Sequence, residues 1–186
     1  MRPPAYRQRE LLIEAGLELA EKLPPAQLTA SAIARRAGLA TRSLALQFGG
    51  LERYGEVLQG LHYEEMRHQA LAAIHGQGPG LERILRATQA YFDFAFSRRG
   101  LRGWLSELRA RSPAMQAQWR LDSQLYAQFL ASELALCGWP HPLAGARLYI
   151  AAVLELVRCE QRESRRLPAA RRALERFLRT YGRNGP

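Results

Sequence analysis

Apolar and polar positions follow one another along this chain with the spacing of an α-helix, and no stretch alternates for long as a half-buried strand would. In residues 6–23 apolar side chains recur three and four positions apart, which places them on one face of a helix. Residues 81–96 and 168–182 repeat this pattern. The sequence therefore predicts an all-α protein of about nine helices.

Proline and glycine mark where the predicted helices end. Pro24 and Pro25 cannot continue the first helix, and residues 75–80 (His-Gly-Gln-Gly-Pro-Gly) form the clearest loop. Gly100 and Gly103 are expected to punctuate a short sixth helix. The chain has no internal repeat, and its length of 186 residues suits one compact body or a small head on a larger one.

The most informative segment is residues 29–44. Thr29 has the side chain of a helix N-cap, and Gly38 supplies the positive φ that a tight turn between two short helices needs. Ala34 is small at the point where the second helix passes close to the first. Three apolar residues at fixed spacing are expected to fill the shared core: Ile33, Leu39 and Leu44. This spacing predicts a helix-turn-helix.

With the helix before it, this segment resembles the TetR family of transcriptional regulators, over about residues 7–58. Residues 12–19 (Leu-Ile-Glu-Ala-Gly-Leu-Glu-Leu) are similar to the family's first helix. Residues 37–39 (Ala-Gly-Leu), followed by Leu44 and Phe48, are similar to its turn and recognition helix. Beyond residue 58 only length and helix count agree with the family.

The resemblance implies a helix-turn-helix DNA-binding domain over residues 1–51 and a helical effector-binding and dimerisation domain over residues 52–186. It implies a repressor that binds operator DNA as a homodimer under the control of a small apolar or amphipathic effector. The DNA-binding residues that it implies are Thr29, Arg35, Arg36, Thr41, Arg42, Ser43 and Gln47.

These residues have different expected roles at the DNA. Arg42 suits a bidentate contact with guanine in the major groove. Thr29 suits a phosphate contact at a helix N-terminus. For Arg35 and Arg36, contact with the DNA backbone and a surface salt bridge remain open.

Three positions depart from the family's pattern. The family carries a Tyr after the Leu of the recognition helix, a His before its Phe and a Lys at the start of the next helix. Here these positions hold Ala45, Gln47 and Leu51. Ala45 and Leu51 cannot bind phosphate with their side chains, and each lost cationic contact reduces the salt slope of binding by about 0.9.

Two interpretations follow from these departures. In the first, DNA binding is retained through other groups, expected to be Arg7, Arg9, Arg42 and Arg53. In the second, the chain is a protein-interaction module that keeps the fold, has largely lost DNA binding and acts on another regulator.

The last two predicted helices carry more apolar surface than a monomer of this size needs to expose. A bundle of four helices from two copies would cover it, whereas packing within one domain is the alternative. The residues expected in this dimer interface are Leu148, Ala151, Ala152, Leu154, Leu174, Phe177, Leu178 and Tyr181.

Aromatic residues of the predicted larger domain either line an effector pocket or form ordinary core. The candidates for the pocket are Tyr91, Phe92, Phe96, Trp104, Trp119, Tyr126 and Phe129. Three acidic residues are candidates for a polar contact with the effector: Asp93, Glu107 and Asp122.

The net charge of +10 favours a polyanionic partner. Residues 1–53 carry eight basic and five acidic side chains, a net charge of +3, and the remainder carries nineteen and twelve, a net charge of +7. Total charge therefore does not assign DNA binding to the head. The arginines after residue 157 form a solvated helix face or a docking site for an acidic protein partner or nucleic acid.

Several functional classes have no support in the sequence. No apolar run reaches the roughly 18 residues that span a bilayer, and no hydrophobic signal segment opens the chain, so we expect a cytoplasmic protein without membrane contact. No nucleophile comes with a base and an orienting acid, and the histidines lack metal-site spacing. We expect no enzyme activity, no metal and no cofactor.

Overall fold

A computed structural model of the chain describes residues 4–181, without the side chain of Tyr181. Nine α-helices and one short 3-10 turn, Pro25–Gln27, form the secondary structure of these residues, and no strand occurs among them. In chain order the helices are α1 (Ala5–Ala20), α2 (Ala30–Arg36), α3 (Arg42–Phe48), α4 (Leu51–Ala73), α5 (Leu81–Ser97), α6 (Arg99–Arg111), α7 (Pro113–Leu136), α8 (Pro142–Glu163) and α9 (Pro168–Tyr181). The all-α prediction is confirmed.

The sixth helix around Trp104 is confirmed, but the expected role of its two glycines is wrong. Gly100 and Gly103 lie inside α6, which has 13 residues, instead of punctuating a short helix. A Cβ at Gly100 would stand 2.1 Å from the backbone oxygen of Ala20, so glycine here permits close packing of α6 on the end of α1. The Glu21 carboxylate also accepts the N–H groups of Gly100 and Leu101, at 3.0 and 3.1 Å, and caps α6.

The chain forms two compact units. The first contains the residues up to 65 together with residues 98–117, and the second contains residues 66–97 together with those from 118 onward. The first unit thus holds the helix-turn-helix segment, most of α4 and the whole of α6. Its core joins buried apolar side chains of all these helices, among them Leu12, Ile33, Leu44, Phe48, Leu58 and Trp104.

The second unit has a core of α5, α7, α8 and α9 side chains. Within it the carboxylate of Glu160 on α8 is only 1% exposed. It accepts hydrogen bonds from Arg171 Nε and Nη2 on α9, at 2.7 and 2.6 Å, and from the Leu167 N–H at 2.8 Å. Arg171 also pairs with Asp93 on α5, at 3.1 Å. This network joins three helices and the turn between α8 and α9.

Burial of Glu160 opposes its ionisation, but the hydrogen bonds from Arg171 and the Leu167 N–H outweigh that effect and lower its pKa below the ordinary 4.5. A carboxyl group whose pKa is lowered by folding stabilises the native state above its unfolded pKa. That stabilisation disappears as the pH falls through the folded pKa.

We predict that Glu160→Gln lowers the free energy of unfolding by about 3 kcal/mol at pH 7, because it leaves the guanidinium of Arg171 without its closest buried counter-charge. The difference in the free energy of unfolding between the variant and the wild type should become smaller as the pH falls below 4.5. Urea unfolding followed by circular dichroism at several pH values measures both effects.

The matched control is Glu163→Gln on the same helix, because Glu163 forms an exposed ion pair with Arg165. It should cost about 0–1 kcal/mol. Equal losses for the two variants, or a gap that does not change with pH, would contradict the assigned role of Glu160.

Candidate DNA-binding site and dimer surface

The helix-turn-helix has the local geometry that its sequence predicts. The Thr29 side chain caps α2 by accepting the Ala32 N–H at 3.2 Å, which leaves its own hydroxyl proton available to an anion. Gly38 has a φ of +68°, in the left-handed region. The Leu39 N–H donates to the Ala34 oxygen at 2.8 Å and closes the turn. Both the cap and the glycine turn are confirmed.

The outward face of α3 and its N-cap carries Thr41, Arg42, Ala45 and Leu46. Leu46 is 68% exposed, whereas Ser43 is only 1% exposed and points into the first unit. Gln47 is half-buried. We therefore leave Ser43 out of the residues proposed to contact DNA and add Leu46, which the sequence analysis did not select although it lies one turn from Arg42.

The described arginines up to residue 53, apart from Arg9, fall into two groups. Arg42 and Arg53, like Arg35, are exposed and form no ion pair with any described residue. Arg36 instead pairs with Glu18 at 2.5 Å. Arg7 pairs with Glu10 at 3.0 Å. The exposed, unpaired group holds the cations available to DNA.

Arg9 has an intramolecular role. Its guanidinium donates to the backbone oxygen of Gln47 at 2.8 Å and lies 4.3 Å from the centroid of the Phe48 ring. A cation at the end of a helix satisfies carbonyls that lack helical partners and complements the helix dipole. Arg9 thus holds the end of α3 in place.

Leu51, one of the three departures from the family's pattern, begins α4 and is half-buried. It packs against the core of the first unit. A leucine at this position contributes packing that a solvated lysine cannot contribute with its charged end. Ala45, by contrast, is exposed on α3 and has no such role.

Tyr54 on α4 sets the position of α3 in the first unit. Its ring meets Phe48 edge-on, with centroids 4.9 Å apart, and lies 6.1 Å from the ring of Trp104 on α6. Its hydroxyl donates to the Leu12 oxygen on α1 at 2.7 Å. A Cβ on Gly16 would stand 1.7 Å from that hydroxyl oxygen, so only glycine leaves room for it.

The predicted dimer interface is only partly exposed in the second unit. Leu148, at 66% exposure, forms an outward apolar face of α8 with Ala151 and Ala152. Phe177 on α9 is 44% exposed. Leu154 and Leu174 are half-buried, Leu178 is fully buried in the unit's own core, and the side chain of Tyr181 lies outside the described residues. Leu178 is therefore unavailable to a partner.

The structure does not bring the predicted pocket aromatics together in one unit. Trp104 belongs to the core of the first unit, and the other six belong to the second. Tyr91 and Phe92 lie in or against the core of the second unit, and Arg166 stacks on Phe96 at 5.4 Å. Three residues lie farther along α7: the half-buried Trp119 and the exposed Tyr126 and Phe129.

The acidic candidates for effector contact are engaged within the protein or exposed. Asp93 pairs with Arg171 and Arg166. Asp122 accepts a hydrogen bond from Gln118, and Glu107 is exposed.

Neither a metal site nor a membrane span is found in the part of the chain that the structure describes. No group of three or more potential ligand side chains is close enough there to hold a metal ion. None of the helices described combines the length and apolar character needed to cross a bilayer.

His62 on α4 is buried, and burial, together with Arg102, Arg98 and Arg109, lowers its pKa to about 3. It is therefore neutral at physiological pH.

No protein-family model matches the chain, and no curated protein matches it in sequence. Known structures do match it. A TetR-like transcriptional regulator from Rhodococcus sp. RHA1 superposes with a TM-score of 0.79 over 100% of both chains, at 15% sequence identity. The chain has a TetR-like fold. The structural likeness covers the whole chain, whereas the resemblance in sequence motifs covers only about residues 7–58.

We predict that Gly16→Ala destabilises this TetR-like fold by about 1–3 kcal/mol, because the added methyl group collides with the Tyr54 hydroxyl. Tyr54→Phe alone should cost about 1 kcal/mol, the value of one hydrogen bond. The double variant should lose less than the sum of the two, because removing the oxygen relieves the closest collision. Urea unfolding of the wild type, the two single variants and the double variant measures the four free energies of this double-mutant cycle.

Gly60→Ala is the matched control, since Gly60 lies on α4 with open space around its missing Cβ. It should be neutral or stabilise by up to about 1 kcal/mol. Additive losses in the cycle would show that the hydroxyl of Tyr54 does not exclude a side chain at residue 16.

Proposed function

We propose that this protein is a TetR-type transcriptional regulator, a repressor that binds operator DNA as a homodimer and is controlled by a small-molecule effector. DNA binding is assigned to residues 1–51 together with Arg53 in the first turn of α4, and effector binding and dimerisation to the remainder of residues 52–186. The observation that carries the proposal is Arg42, which is exposed and unpaired in the first turn of a helix-turn-helix recognition helix. A guanidinium there can reach O6 and N7 of guanine in the major groove.

Other groups of the first unit complete the proposed DNA surface. Thr29 offers its hydroxyl at the N-terminus of α2, and Arg35 and Arg53 offer exposed cations for phosphate. Leu46 would meet the methyl group of a thymine, the apolar feature of the major groove. Few cations face DNA in this arrangement, so we expect binding with a shallow dependence on salt.

Control by an effector follows from a shift between two conformations. An effector that binds better to the conformation with wrongly spaced recognition helices would release the operator. Two half-sites about one helical turn apart are expected, because the spacing mirrors the two-fold axis of the dimer.

One observation favours a second function, binding of another regulator in place of DNA. Ala45 and Leu46 form an exposed apolar surface next to Arg42 on α3. An apolar surface of this kind can dock a protein. An acidic partner would in addition pair with Arg42.

We predict that selection from a random duplex library enriches a palindromic site for the wild type. Arg42→Gln should weaken binding to that site by about 1–3 kcal/mol per half-site and relax the preference at one base pair. Arg111→Gln, an exposed arginine of α6, is the control with the same charge change and should retain selectivity. Fluorescence anisotropy at several salt concentrations measures affinity and salt slope.

The same experiment distinguishes the two functions. If the wild type enriches no sequence while a variant with Ala45→Tyr and Leu51→Lys does, the fold has lost phosphate anchors and the second function is favoured. Circular dichroism of the double variant checks that replacing the half-buried Leu51 leaves the helices intact.

We also predict that Leu148→Glu converts the dimer to a monomer, because two-fold symmetry places the new charge in the interface twice. Leu143→Glu is the matched control: Leu143 is an exposed leucine of the same helix, about 140° around its axis from Leu148. It should leave the dimer intact. Sedimentation velocity measures the mass, and a monomeric wild type or a dimeric Leu148→Glu variant would overturn the assigned interface.

A further inference from the structure

A groove of about 450 Å³ opens in the second unit between α5, α8 and α9. Its volume lies in the range of small-molecule sites. The apolar part of its wall includes Leu85, Phe92 and Leu174. Phe92 is held in place by the guanidinium of Arg171, 4.7 Å from its ring centroid. Phe92 itself is only 3% exposed, so the apolar surface open to an aliphatic or aromatic group is mostly that of the half-buried Leu85 and Leu174.

Five arginines and two glutamates line this groove. Three of the arginines are compensated within the protein. Arg171 pairs with the buried Glu160, Arg179 pairs with Glu82 and Glu175, and Arg166 lies 3.6 Å from Asp93. Their charges hold the helices together and leave little for a ligand.

The other two arginines differ. Arg86 on α5 and Arg172 on α9 form no ion pair with any residue that the structure describes. Both line the groove, one from each of two helices that bound it. Arg86 acts on the Glu82 carboxylate through space, but neither guanidinium is held in an ion pair. Such cations at the edge of an apolar surface attract an anion, and guanidinium groups bind carboxylate and phosphate in a bidentate manner.

A pair of buried hydroxyl groups also faces the groove. Burial raises the pKa of Tyr149 to about 12, so its hydroxyl stays protonated and donates to Thr88 Oγ1 at 3.0 Å. Thr88 in turn donates to the Ile84 oxygen at 2.8 Å. The protons of both hydroxyls are used, and the Tyr149 oxygen retains the capacity to accept a hydrogen bond.

The two arginines Arg172 and Arg179 of the groove wall lie on a different side of α9 from Phe177, whereas Leu174 in that wall lies about 60° from Phe177. At about 100° per residue, Arg172 stands about 140° and Arg179 about 160° around the helix axis from Phe177. A partner docked on Phe177 therefore leaves the wall that holds Arg172 uncovered.

We propose that this groove binds a small amphipathic anion, whose carboxylate or phosphate group is held by Arg86 and Arg172 while its apolar part lies on Leu85, Phe92 and Leu174. The inference rests on the proposed function only for its regulatory consequence, release of the operator. Binding itself is measured without DNA, so a failure of operator binding does not affect it.

The test is isothermal titration calorimetry of the full chain with octanoate, octyl phosphate and octan-1-ol. At least one of the two anions should bind at least tenfold more tightly than the alcohol, and the comparison between them identifies the preferred head group. The variant Arg86→Gln with Arg172→Gln should weaken anion binding at least tenfold. The control variant, Arg67→Gln with Arg120→Gln, removes two exposed arginines of the same unit that lie outside the groove. It should retain anion binding.

Modification of arginines by phenylglyoxal, read by mass spectrometry, locates the ligand. The tighter anion should protect Arg86 and Arg172 but leave Arg67 and Arg120 reactive. Absence of anion binding, equal binding of the alcohol, or equal losses in the two double variants would overturn the proposal. Thermal unfolding of the variants should match the wild type, because all four side chains are exposed.

Discussion

The hydrogen bond from the Tyr54 hydroxyl to the Leu12 oxygen is the constraint on which the first unit depends. A buried hydroxyl needs a partner, and this one finds it on a different helix because Gly16 leaves the space. Burial also raises the pKa of Tyr54, so the hydroxyl remains a donor. Phe48 and Trp104 pack on the ring of the same residue. Tyr54 therefore connects α1, α3, α4 and α6, and a displacement of α4 or α6 has to be accommodated where α3 is held.

The second unit depends on charge instead. Glu160 and Arg171 are removed from water together, and their hydrogen bonds compensate for the cost of desolvation only because the backbone of Leu167 and Asp93 complete the network. An arginine fully engaged in this way is structural. Arg86 and Arg172 form no such ion pairs, which is why we assign ligand binding to them and not to Arg171, whose guanidinium is engaged by Glu160 and Asp93.

The parts of the fold predicted from sequence are those governed by local rules. Thr29 and Gly38 act on residues within one or two turns of themselves, so their roles follow from residue type and spacing. The role of Gly100 depends on Ala20, about eighty residues earlier, and a single sequence does not show that contact. The same holds for Arg9, whose partner is the backbone of Gln47.

The candidate sites were less predictable for the same reason. Ser43 precedes Leu44 in the sequence, and the packing of α3 against α1 and α2 buries both side chains. Trp104 was grouped with the aromatics of the larger domain because it lies near them in sequence, yet it packs on Tyr54. The groove draws its walls from α5, α8 and α9, and no spacing along the chain relates Arg86 to Arg172.

The departures from the family's pattern have different physical meanings. Leu51 exchanges a phosphate-binding cation for packing against the core that surrounds Tyr54, so it strengthens the head whatever the head binds. Ala45 and Leu46 contribute nothing to that core, and their exposure gains no stability. In our proposal their apolar character serves the contact that α3 makes with its partner. A thymine methyl group and an apolar protein surface both suit such a contact, whereas a phosphate group does not.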